Sequence, residues 1–242
     1  MGARVPLGHD HGAGAVGTIL RSVDGEQVVE PRPARFGVAL IGIMLVIVVN
    51  VAGDRSEFIR WLGVVIQGGV LVFVLWTADV RRGTRLIAEV VVAAALVVAA
   101  IGVFTPGEVG DHAVQIVALL LVVATPPAIV GRIARQPKVD GTVVAGALCI
   151  YLLLGLAYSV GYVIIDGLMA TPFFAQDPDP SHSAFTYFSF VTLTTVGYGD
   201  LSPAGDVGRL AAITEALLGQ LYLVTVVALV VSRIGQERRE RT

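Results

Sequence analysis

Six apolar stretches, separated by short polar segments, constrain this chain more than any other feature. They begin at Phe36 (FGVALIGIMLVIVVNVA), Phe58 (FIRWLGVVIQGGVLVFVLWTA), Thr84 (TRLIAEVVVAAALVVAAIGVF), His112 (HAVQIVALLLVVATPPAIVG), Gly141 (GTVVAGALCIYLLLGLAYSVGYVII) and Gly208 (GRLAAITEALLGQLYLVTVVALVVS). A hydrocarbon core about 30 Å thick takes about 20 apolar residues as a helix. Each stretch therefore crosses or nearly crosses a bilayer, the first being short enough to need help from its flanks. Inside lipid the backbone must satisfy its own polar groups, and helices do so within one segment. With only 15% charged residues, against about a quarter in ordinary globular domains, the expected fold is an all-α membrane protein with six transmembrane helices.

Orientation follows from the basic residues, which cytoplasmic loops retain. With both termini inside, 14 of the 17 fall on the cytoplasmic side: Arg4, Arg21, Arg32, Arg35, Arg81, Arg82, Arg85, Arg132, Arg135, Lys138, Arg233, Arg238, Arg239 and Arg241. Arg55, Arg60 and Arg209 are left outside, where Glu108, Asp111, Asp166, Asp177, Asp179, Asp200 and Asp206 make an acidic face that attracts cations. The expected location is the plasma membrane, multi-pass, with cytoplasmic termini.

Several function classes find no support. The near-neutral balance of 17 basic and 19 acidic residues gives no reason to expect nucleic-acid binding. A single cysteine, Cys149, permits neither an internal disulfide nor a thiolate zinc site, and its apolar surroundings point to packing. His9 and His11 lie in a polar N-terminal segment that reads as a tail, and nothing implies an organic cofactor.

Between the fifth and sixth stretches, SHSAFTYFSFVTLTT (181–195) is apolar and aromatic enough to enter a membrane. A helix of about a dozen residues there reaches only about 18 Å, so it cannot cross. It must return to the side it entered from as non-helical backbone, which is tolerated at that depth only where protein buries it or it lines a watery space. VGYGD supplies the return: Gly197 and Gly199 permit conformations that L-residues resist, so that successive carbonyls can face one axis. A row of carbonyls replaces the hydration shell of a cation when four chains surround it.

Thr192, Thr195, Val196, Gly197, Tyr198, Gly199 and Asp200 resemble the signature filter of potassium channels, and the likeness extends over about residues 139 to 233. The resemblance implies a homotetrameric pore passing K+, with carbonyls of Thr195, Val196, Gly197 and Tyr198 and the Thr195 hydroxyl as ion ligands. It implies filter support from Thr192, Thr194, Tyr187, Phe188 and Asp200. Tyr198 is expected to point into an aromatic cuff of Phe185, Tyr187, Phe188 and Phe190. Many relatives have paired tryptophans where this chain has Tyr187 and Phe188, and some bacterial ones a glutamate at the place of Val191. The Tyr187 hydroxyl is accordingly expected to hold Asp200. Gly219 occupies the place of a hinge glycine, with helix packing as the alternative. Glu215 is an intramembrane acid and so a functional candidate, placed behind the short helix, facing the pore cavity, or in an interhelical hydrogen bond. Gln220 is a candidate for the cavity wall.

Six spans with the pore in the last two also suggest a voltage sensor, but the fourth stretch has none of the regularly spaced arginines a sensor needs. Pro126 and Pro127 are expected to disturb its helix, and Glu89 to pair with Arg85. The expected domains are a tail (1–35), a four-helix domain without voltage sensing (36–134), a pore domain (139–233, with pore helix 182–193, filter 195–199 and inner helix 208–232) and a tail (234–242) without a ligand-binding domain. A weakly selective cation channel and a non-conducting partner subunit are alternatives. So is an intramembrane aspartyl protease, in which GYGD supplies Asp200 and Asp166 is the nearest second acid.

Overall fold

The computed structural model describes residues 36–52, 57–77, 108–134 and 141–239, together with 89, 90, 92–94, 97, 98, 100 and 101. These fall in one compact unit, Ala34–Thr242. Its helices are α1 (Phe36–Ala52), α2 (Glu57–Thr77), α3 (Glu108–Ile133), α4 (Gly141–Leu168), α5 (His182–Leu193) and α6 (Asp206–Arg239). The described positions between 89 and 101 are helical too. Among the described residues, α3, α4 and α6 are long and apolar enough to cross a membrane, while Phe36–Ala52 and Leu62–Trp76 are shorter apolar helices. The chain is an α-helical membrane protein.

α1 shows why the apolar stretches become membrane helices rather than a soluble core. Phe36, Ala39, Ile43 and Val46 recur at helical spacing and are buried against α2 and α4. The opposite face is apolar as well, with Val38, Ile41, Met44, Leu45 and Val48 exposed, and a helix apolar all round belongs in lipid or a large core. Its start is fixed by α4, where Gly146 lets the Phe36 ring approach within 3.0 Å of where a Cβ would stand. Cys149, buried, directs its thiol to the Phe36 carbonyl at 3.7 Å, consistent with the packing expectation.

α1, α2, α3 and α4 pack in a ring, each on its neighbour in sequence and α4 back on α1. α3 runs unbroken through Pro126 and Pro127, which corrects the expectation that the prolines disturb it. Apolar flanks hold the helix on two sides, since α3 packs on both α2 and α4, and the Thr125 hydroxyl donates to Leu121 O at 2.7 Å. Neighbouring helices and hydroxyl side chains are what make proline tolerable in membrane helices. Glu89 accepts a 2.9 Å bond from Trp76 Nε1; Arg85, its expected partner, lies outside the described residues, as do His9 and His11.

α5 wedges between α1, α4 and α6, and its bounds coincide with the expected 182–193. α6 extends to Arg239, so the helix continues past the expected inner-helix end at 232 and into the segment read as a tail.

Candidate functional site: the turn after the short helix

α5 begins where Ser181 Oγ accepts from the Ala184 N–H at 3.3 Å, a side-chain N-cap. An aromatic cluster fixes its N-terminal half: Phe185 and Phe188 are buried with Tyr162 of α4 and with Phe173 and Phe174 of the loop after α4. That loop is in turn clamped to the segment beyond the turn, with Ala175 N–H donating to Ser202 O at 3.0 Å and Ala204 N–H to Phe173 O at 2.8 Å. Gln176 and Ser202 exchange two further bonds of 2.8 and 2.9 Å.

The backbone leaving α5 folds back on it. The N–H groups of Thr194, Thr195 and Val196 donate to the carbonyls of Phe190, Thr192 and Val191 at 3.1, 2.9 and 3.0 Å, and Gly197 N–H shares Val191 O at 3.4 Å. The helix's terminal carbonyls, orphans by construction, are thereby satisfied. The Thr194 hydroxyl adds a 2.6 Å bond to Phe190 O, and Tyr151 on α4 donates to Leu193 O at 3.1 Å.

With the amides turned to the helix, the carbonyls are left over. Thr195, Gly197 and Gly199 have φ of 57°, 56° and 80°, while Val196 and Tyr198 between them stay at negative φ. Alternation of the two hands turns successive peptide units to one side. For Gly197 and Gly199 this is easily adopted, but a β-branched threonine there is an outlier that the surroundings must enforce. Among the described residues, no hydrogen bond ends on the carbonyls of Thr195, Val196, Gly197 or Tyr198. Thr194 through Asp200 are all exposed in the single chain.

The side chains brace this turn from two directions. Tyr187 donates to Asp200 Oδ2 at 2.8 Å, the bond anticipated from their positions. Its ring lies parallel to that of Tyr198, centroids 6.5 Å apart. Among the described residues of the single chain, Tyr187 is the member of the expected cuff that stacks on Tyr198. Phe185 and Phe188 face the cluster behind α5, and Phe190 packs on Gly155 of α4, 2.9 Å from where a Cβ would be. The helical period puts Phe185 and Phe188 on one side of α5 and Tyr187 and Phe190 on another, and Tyr198 stays 72% exposed.

From α6, Gln220 Nε2 reaches the Thr195 hydroxyl at 3.1 Å, so this side chain touches the turn itself and not only a cavity wall. At Gly219, α6 passes so close to α5 that a Cβ would stand 2.7 Å from Leu193 Cδ1 and 2.9 Å from Leu193 O. That is close packing, in an α6 that is continuous there.

Glu215 is fully buried behind α5, away from the exposed turn. It accepts from Tyr162 of α4 through Oε2, and Ser189 Oγ of α5 lies 2.5 Å from its Oε1. Ser189 Oγ is also 2.7 Å from Gly155 O. Of the three placements open to Glu215, two coincide: it lies behind the short helix and ties three helices by hydrogen bonds, away from the exposed turn. Its partners Tyr162 and Ser189 were missed from sequence, although a serine in the apolar middle of FSFV was a visible signal. Tyr222 ties the same helix to α4 by donating to Ala147 O at 2.7 Å and stacking on Tyr151.

Asp200 is engaged by Tyr187 and its Oδ1 accepts from Leu201 N–H at 3.1 Å. Asp166 accepts from Phe173 N–H at 2.8 Å. The two acids are committed to separate partners and do not form a pair sharing a proton.

Residues 147–236 match a family model described as ion channel. No curated protein and no solved structure matches significantly.

Proposed function

We propose that this chain is the subunit of a potassium-selective channel in which four copies surround one axis and K+ crosses passively. The observation that carries the reading is the row of carbonyls from Thr195 to Tyr198, on which no hydrogen bond ends among the described residues while the amides of Thr195, Val196 and Gly197 are spent on the end of α5. A dehydrated cation needs such oxygens, and one chain offers too few at each level, so four are required. The ion-channel match over 147–236 supports conduction. The resemblance of TVGYGD to potassium-channel filters supports the choice of ion.

The same reading assigns a role to each brace. Thr195, Val196, Gly197, Tyr198 and Gly199 form the filter, with the Thr195 hydroxyl as its innermost ligand. Thr192, Thr194, Tyr187 and Asp200 hold it against α5, while Phe188 anchors α5 from behind. Tetramerisation accounts for α6: only 11% of its apolar span is buried within the chain, against 44% for α4. Partner copies would cover part of this surface and the exposed Val196 and Tyr198, and lipid the rest. The chain would cross the plasma membrane six times with both termini cytoplasmic. Permeant K+ would be its only ligand in conduction, with no bond-making chemistry, no cofactor and no nucleic acid.

The test is a reversal potential with purified protein in planar bilayers, potassium on one side and sodium on the other. Reversal near the potassium equilibrium value, lost on Gly197→Ala, is the expected result. Reversal near zero would reject selectivity, and silence in all conditions would favour a non-conducting subunit.

A further inference from the structure

A second feature lies away from the turn, where α1, α2, α3 and α4 meet the start of α5. There the structure holds a partly open cavity of about 80 Å³. Six valines, Leu156, Ala118 and Gly63 give the wall its mostly apolar surface; Asn50, Gln115 and His182 line it too, and no Lys, Arg, Asp or Glu contributes to it. Gln67 of α2 lines it, 2% exposed, and neither its Nε2 nor its Oε1 has a hydrogen-bond partner among the described residues. Thr186 of α5 and Ser159 of α4, also in the wall, bond each other at 2.9 Å.

A buried amide with neither end paired is costly even where the surroundings relax. The group that relieves it must donate to Oε1 and accept from Nε2. One hydroxyl does both. A charged ligand finds no Lys, Arg, Asp or Glu in this wall; the mostly apolar surface suits an aliphatic chain, and the polar side chains grouped with Gln67 suit a hydroxyl. The volume exceeds the roughly 30 Å³ share of one liquid water and is about half that of a ~150 Å³ cavity known to admit benzene. It fits a hydroxyl with a short length of chain, the remainder leaving through the open side.

We propose that this cavity binds the hydroxyl end of a neutral aliphatic alcohol, held by Gln67, between the first helices and the start of α5. The alcohol could be a membrane-resident acylglycerol or a free alkanol, which share the chemistry. Because α5 carries the turn, and on the reading above the filter, an occupant beside Thr186 gives the first helices a route to the pore.

The experiment is photolabelling of the full-length protein in nanodiscs with an octanol carrying an aliphatic diazirine, mapped by mass spectrometry. Label is expected on cavity residues and should fall at least about tenfold in Gln67→Leu, which removes two hydrogen bonds at once. Ala118→Phe, which fills the cavity and leaves the amide in place, should reduce it comparably; thermal melts establish that both variants fold. Competition by dioctanoylglycerol supports the lipid source, and competition by 1-octanol alone supports the free alkanol. Cavity label that persists in both folded variants, equal competition by octane, or absence of cavity label in the wild type would overturn the proposal. Labelling needs no current, so a protein that labels but never conducts would count against the proposed channel function and leave the site standing. The link to the pore is read separately: 1-octanol should alter open probability in the wild type and not in Gln67→Leu, and an equal response in both would overturn that link.

Discussion

At Glu215 a donor count explains how a carboxyl group is accommodated at membrane depth. Ser189 has one hydroxyl proton but faces two acceptors, Gly155 O and Glu215 Oε1. If Glu215 carries a proton, it donates to Ser189, Ser189 donates to Gly155, Tyr162 donates to Oε2, and every contact is satisfied. Glu215→Gln reproduces that pattern, its amide donating to Ser189 and accepting from Tyr162, so its melting temperature should stay near the wild type. Glu215→Leu leaves the Tyr162 phenol without that acceptor and should cost about 1–3 kcal/mol, seen as a lower melt of the detergent-solubilised protein. The opposite ranking would show an ionised acid with a function that packing does not explain. Tyr187→Phe probes the other brace by deleting the 2.8 Å bond to Asp200. Single-channel recordings should show altered open probability or inactivation, and unchanged gating would remove Tyr187 from the support of the turn.

Among the elements, α5 and α6 are held together by an approach that only glycine permits. Beside Gly219 one of the crowding atoms is Leu193 O, a backbone atom that cannot rotate away, and it sits at the end of α5 from which the turn departs. Overpacking in tight contacts costs about 1–3 kcal/mol. Gly219→Ala should therefore lower the melt by that order and reduce conduction through displacement of the turn. A hinge role alone predicts altered gating with the melt unchanged, so measuring both separates the two. At Gly155, by contrast, the crowding atoms all belong to side chains, the Phe190 ring and Leu193 Cδ2, which have some freedom to shift. Gly155→Ala should accordingly be the milder substitution.

For the whole molecule, the first helices pack as a scaffold around α4 and the start of α5. α3 spans the region where a sensor would lie, and its apolar span carries no regularly spaced arginines. Each charge moved through 100 mV supplies about 2.3 kcal/mol, so without several of them the field has little to act on. The conductance–voltage relation in symmetrical salt should be shallow. A steep curve abolished by neutralising Arg132 and Arg135 would overturn this and make α3 a sensor after all.

Local rules made much of this legible in advance. Hydropathy marked the apolar helices because burial in lipid depends on a segment's own composition, and the bounds of α5 followed from its short aromatic run ending at polar threonines. Gly197 and Gly199 announced positive φ by stereochemistry alone, but Thr195 at 57° did not, since only the clasp of amides onto Phe190, Val191 and Thr192 holds a branched residue there. The Tyr187–Asp200 bond could be anticipated because both residues lie on one short unit. What needed the tertiary structure were contacts between segments far apart in the chain: Tyr162 with Glu215, Leu193 against Gly219, the sorting of Phe185, Phe188 and Phe190 away from Tyr198, and the cavity that Gln67 shares with Thr186. Sequence fixes which face of a helix is apolar or polar, but in membrane helices that are apolar nearly all round, the choice of neighbour is made by close packing and hydrogen-bond geometry, which exist only once the helices meet.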